Sequence, residues 1–71
     1  MAGGGPGLSA VALQVHDLLR GGPPLSPTQI RAQLGLSERA IRYALRELEQ
    51  AGRVRWRHDA RDTRFRRYAA V

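Results

Sequence analysis

At 71 residues and 42% hydrophobic content, the chain has room for one domain with one modest core. Twelve basic residues, all of them arginine, face six acidic ones, and the resulting charge of +6 and isoelectric point near 11.5 favour a polyanionic partner. The lack of cysteine excludes disulfides and thiolate metal sites, the isolated His16 and His58 make a zinc site a poor fit, and no apolar stretch is long enough to span a bilayer.

Residues 1–7 hold four glycines and a proline and are read as a disordered tail, leaving residues 8–71 as the folded domain. Leu8, Val11, Val15, Leu18 and Leu19 recur at helical spacing. Ser9 can cap the helix they define, which should end at Arg20 before Gly21, Gly22, Pro23 and Pro24. Leu25 stands alone and is expected to form a one- or two-residue strand that pairs with a later hairpin. Ser26, Pro27 and Gln29 then make a strong helix start: a cap, a proline at the first helical position and the partner of a capping box. This second helix should run to about Leu34, burying Ile30 and Leu34 with Ala32 or Gln33 beside them, and leave through a left-handed Gly35. Ser37 is the next cap, so only about three residues separate the second and third helices, which is the spacing of a helix-turn-helix.

The third helix is expected over residues 38–51, closed by Gly52. Residues 53–58 alternate, with Val54 and Trp56 on one face and Arg53, Arg55 and Arg57 on the other. Trp56 is expected in the core against the first or third helix. Residues 59–62 read as a turn shaped by Asp59 and Asp62, and residues 63–70 as the returning strand. Phe65 and Tyr68, three apart, cannot share a face of a regular strand, so a bulge or a twisted tip is required. The fold class is therefore mainly α with a small β-hairpin (α+β): a winged helix-turn-helix of three helices and a two- or three-stranded wing sheet.

Helical geometry divides the third helix cleanly. At about 100° per residue from Arg39, the apolar Ile41, Ala44, Leu45 and Leu48 fall between roughly 140° and 240°, while Arg42, Tyr43 and Arg46 join Arg39 between roughly 300° and 40°. Glu38, Glu47 and Glu49 lie on the flanks. An ordinary surface helix mixes signs on its outer face, whereas a helix built to enter a major groove keeps that face cationic. Arg39, Arg42, Tyr43 and Arg46 are therefore candidate DNA contacts, with Ser37 a candidate phosphate contact at the helix N-terminus. Seven arginines fall in the last nineteen residues. Of these, Arg61, Arg64 and Arg66 lie at or near the hairpin tip and are the candidate contacts to the DNA backbone or minor groove.

The segment LSPTQIRAQLGLSERAIRYALRELEQAGRVRW, followed by RDTRFRRY, resembles the DNA-binding core of MarR-like bacterial and archaeal winged-helix transcription regulators. The resemblance covers residues 27–68. It implies that residues 37–52 form the recognition helix and residues 57–66 the wing. Two features depart from the family pattern. Arg31 stands where a small residue is usual, and the extra helices that such regulators use for dimerisation and effector binding are missing.

The function expected is double-stranded DNA binding, as a transcription regulator, with the third helix in the major groove and the wing on the flanking backbone. The alternative is a winged-helix protein–protein interaction module of a larger assembly, whose signature would be an exposed apolar patch. No nucleophile–base pair or paired carboxylates sit in a plausible cleft, so an enzyme is not expected. Nor is a cofactor, a metal, a membrane or a small-molecule effector. The first helix is the one obvious surface for a homodimer, and the expected location is the cytoplasm.

Overall fold

Three capped helices and a hairpin follow one another as α1 (Ala10–Arg20), α2 (Pro27–Leu34), α3 (Glu38–Gln50), β1 (Val54–His58) and β2 (Arg66–Ala70). The computed structural model describes residues 8–71, so the tail expected at residues 1–7 lies outside the described residues.

Each helix begins at a serine. The Oγ of Ser9 accepts from the N–H of Ala12, that of Ser26 from Gln29, and that of Ser37 from Ala40, at 3.1–3.2 Å. At α2 the capping box closes, since the Ser26 N–H also donates to Gln29 Oε1 at 2.9 Å. Such a cap satisfies amides that the first helical turn leaves without partners. Gly35 leaves α2 at φ 68°, a left-handed conformation that strains any residue carrying a Cβ. Residues 35–37 complete the turn, and α3 starts at Glu38.

β1 and β2 pair antiparallel, with Val54 opposite Ala70, Trp56 opposite Tyr68 and His58 opposite Arg66. Leu25 meets the other edge of β2. Its N–H donates to Tyr68 O at 2.9 Å, and the Tyr68 N–H returns the bond at 2.8 Å. The third strand is thus a single residue, enough to lock the hairpin to the helical layer.

The core takes Ala12, Val15 and Leu19 from α1, Ile30 from α2, Ile41, Ala44, Leu45 and Leu48 from α3, and Leu25, Val54 and Tyr68 from the sheet region. Three expectations need correction. Leu34 is only half-buried, and Ala32 and Gln33 are exposed, because the two turns of α2 reach the core squarely through Ile30 alone. Trp56 is half-buried at the core margin, where its indole N–H donates to Glu49 Oε1 of α3 at 3.0 Å. The returning strand starts at Arg66 rather than at residue 63, which removes the Phe65–Tyr68 conflict by placing Phe65 in the turn.

Residues 59–65 owe that turn to two aspartates. Asp59 Oδ1 accepts from the Arg61 N–H at 2.7 Å and Asp62 Oδ1 from the Arg64 N–H at 3.0 Å, each fixing the backbone two residues on. The Arg61 amide, then the Arg67 guanidinium at 2.6 Å, holds the Asp59 carboxyl below its ordinary value of 3.8. The Arg64 side chain, then its amide, does the same for Asp62, and Asp62 in turn raises the Arg64 guanidinium.

Leu48→Ala should cost about 2–5 kcal/mol and Ser26→Ala about 1 kcal/mol in urea unfolding, the first from a cavity and the second from a lost cap. Because the Asp59 carboxyl is depressed in the folded chain, the support it gives the turn is full above the unfolded value and lost as pH falls through the folded one. Carbon-detected NMR should place the Asp59 midpoint below 3.8, and Arg67→Gln should move it part of the way back.

Candidate nucleic-acid interface

Burial of Ile41, Ala44, Leu45 and Leu48 sets the rotation of α3 about its axis and leaves Arg39, Arg42, Tyr43 and Arg46 together on the open side. These four line one shallow depression. Tyr43 is 59% exposed, and the Arg39 guanidinium lies 5.8 Å from its ring centroid, within range of a cation–π attraction. Arg42 Nε stands 3.7 Å from Glu38 Oε1 one turn back, an exposed pair that costs the guanidinium little of its reach. Arg46 has no ion-pair partner among the described residues.

Ser37 sits at the N-terminus of α3 on the exposed surface. Its Oγ accepts the Ala40 amide, so its hydroxyl proton remains available for donation.

Arg64 and Arg66 face α3 across a cleft of about 700 Å³ whose α3 wall includes Arg42 and Arg46. Arg64 is clamped on Asp62 through Nε at 3.0 Å and Nη2 at 2.8 Å. Arg66 lies over the Trp56 ring, its Cζ 4.0 Å from the centroid. Arg61 is exposed in the turn and does not line this cleft. Six of the eight candidate residues therefore cluster as two groups, Arg39–Arg42–Tyr43–Arg46 and Arg42–Arg46–Arg64–Arg66, connected through Arg42 and Arg46, while Ser37 and Arg61 lie outside both.

The third wall of the cleft is the start of α2, with Ser26, Thr28 and Arg31. Sequence reasoning passed over Thr28 and Arg31, although their spacing of three puts them on one polar side of that helix. Phe65 also lines the cleft, a position that the strand pattern of residues 63–70 does not reveal. On the far face of the hairpin, Arg55 and Arg57 are exposed, while Arg67 is held by Asp59.

The chemistry available is recognition. Guanidinium groups suit phosphate oxygens and guanine edges, and a helix with side chains about 10–12 Å across matches a major groove about 12 Å wide. Among the described residues, no group of three or more His, Cys, Asp or Glu side chains is arranged to hold a metal ion, and no helix is long and apolar enough to cross a membrane.

Comparison with known proteins bears on the fold that presents this surface. No curated protein matches the chain in sequence. Among solved structures, a MarR family transcription regulator superposes with a TM-score of 0.85 at 23% identity, over 92% of this chain and 43% of that one. The transcriptional regulator BldR from Sulfolobus solfataricus gives 0.80 at 23% identity, over 90% and 45%. FabT from Streptococcus pneumoniae, solved in complex with DNA, gives 0.82 at 18% identity, over 96% and 49%. At these identities the likeness is one of fold, and the chain spans less than half the length of each of these proteins. The family described as winged helix-turn-helix DNA-binding matches residues 8–55, from the approach to α1 into β1. Since that match takes in more than half of the sequence, the chain belongs to the winged helix-turn-helix DNA-binding family.

Proposed function

We propose that the chain acts as a transcription regulator, laying α3 in the major groove of duplex DNA and the wing on the flanking backbone. The observation that carries this reading is the cationic side of α3, where Arg39, Arg42, Tyr43 and Arg46 stand exposed and where Arg42 and Arg46 share a cleft with Arg64 and Arg66. Arg39, Arg42 and Arg46 contact base edges or phosphates, Tyr43 a phosphate or a thymine methyl, and Ser37 a phosphate through its free hydroxyl proton. Arg61, Arg64 and Arg66 contact the backbone or minor groove beside the major-groove site. Thr28 and Arg31 extend the phosphate-facing wall at the start of α2, where the helix end itself favours an anion.

In this reading the protein works in the cytoplasm, is not an enzyme and needs no small-molecule effector. A homodimer forms through α1, whose outward Leu13 is 54% exposed, and would match a palindromic site.

The test is fluorescence anisotropy of a labelled mixed-sequence duplex titrated across salt. Log affinity should fall linearly with log salt, and the triple variant Arg39→Ala, Arg42→Ala, Arg46→Ala should flatten the slope by up to about 3. A wild-type chain that fails to bind even at low salt, or an unchanged slope in the triple variant, would remove α3 from the DNA.

A further inference from the structure

Phe65 is a large apolar side chain outside the core. It is 53% exposed and is not among the half-buried hydrophobic residues that pack against the buried cluster. Its backbone is nonetheless fixed at both ends. The Phe65 N–H donates to Asp62 O at 3.0 Å, and Phe65 O accepts from the Asp59 N–H at 2.8 Å. The ring is therefore presented from a closed hairpin neck.

Its surroundings are predominantly cationic, five arginines of the cleft outnumbering Glu38 and Glu49. Phe65 lines the cleft together with Arg42, Arg46, Arg64 and Arg66, and the Arg64 guanidinium stands 5.8 Å from the ring centroid while clamped on Asp62. An apolar protein surface brought against this ring would have to strip water from several guanidinium groups without giving them partners, which is costly. A nucleic-acid strand supplies both partners at once: phosphates for the arginines, and deoxyribose, base edges or thymine methyls for the ring.

We infer that Phe65 is an apolar anchor of the DNA contact, laid against the sugar and base edges where the wing meets α3. This rests on the DNA-binding reading above and adds to it a contact that carries no charge. An apolar contact releases no counterions, so its contribution is the same at every salt concentration. The arginines, in contrast, set the slope.

The experiment is the same anisotropy titration with wild type, Phe65→Ala and Phe65→Leu. All three should melt alike, because the side chain lies outside the core. Phe65→Ala should bind about tenfold more weakly at every salt concentration, giving a line parallel to wild type, and Phe65→Leu should recover most of the loss. If wild type binds but the Phe65→Ala line coincides with it, the anchor is overturned while DNA binding stands. A Phe65→Ala loss that fades as salt rises, with Phe65→Leu equally impaired, would also overturn it, since the ring would then act only by holding Arg64. If wild type itself does not bind, both readings fall together.

Discussion

The rotation of α3 about its own axis is the constraint on which the surface depends. Side chains leave a helix about 100° apart, so seating Ile41, Ala44, Leu45 and Leu48 in the core leaves Arg39, Arg42, Tyr43 and Arg46 no direction but outward. Fully burying Ile41 and Leu48 is worth roughly 1.5–3 kcal/mol each, far more than the exposed charges can exert against it. Two carboxylates on the flanks reinforce that setting. Glu47 accepts from the N–H and Oγ of Ser9 at 2.8 and 2.9 Å, fastening α3 to the start of α1, and Glu49 accepts the indole N–H of Trp56, fastening it to β1.

The acidic residues explain how so small a chain keeps its arginines available. Glu47 and Glu49 are engaged by neutral donors, and Asp59 and Asp62 by turn amides as well as by Arg67 and Arg64. Asp17 and Glu38 meet Arg20 and Arg42 only at 3.7–3.8 Å on the open surface. The acids act mainly as joints of the scaffold, so Arg39, Arg46 and Arg66 carry no ion pair among the described residues.

Local chemistry made most of this fold legible in the sequence. The serine caps, Pro27, Gln29, Gly35 and the breaker after Arg20 act within a few residues of chain, and each did what its local physics required. The one-residue pairing of Leu25 was also readable, since a lone apolar residue between two helix signals has little else to join. The wing was harder. The expected returning strand reaches back to residue 63 against its own periodicity, and the hydrogen bonds of Asp59 and Asp62 instead hold residues 59–65 in a turn, since local side-chain-to-backbone bonds of that kind compete with a ladder. The α3 stripe could be computed from spacing alone. The cleft could not, because Arg31, Arg46 and Arg66 come from three separate elements and meet only through tertiary packing.

How each arginine is held matters as much as where it points. An exposed guanidinium is a mobile group, and ordering it on a ligand costs side-chain entropy. A carboxylate partner lowers that cost but weakens the field the arginine presents, as at Arg64 on Asp62 and Arg67 on Asp59. An aromatic ring orients the guanidinium and leaves both its charge and its N–H donors free. Arg66 over Trp56 at 4.0 Å is held in that way, as is Arg39 beside Tyr43 at 5.8 Å. Trp56 is itself fixed by Glu49, so the position of Arg66 traces through one ring and one carboxylate back to α3. The wing and the helix are thereby set relative to each other by a chain of contacts that ends in Arg66, which faces the cleft with no ion pair among the described residues.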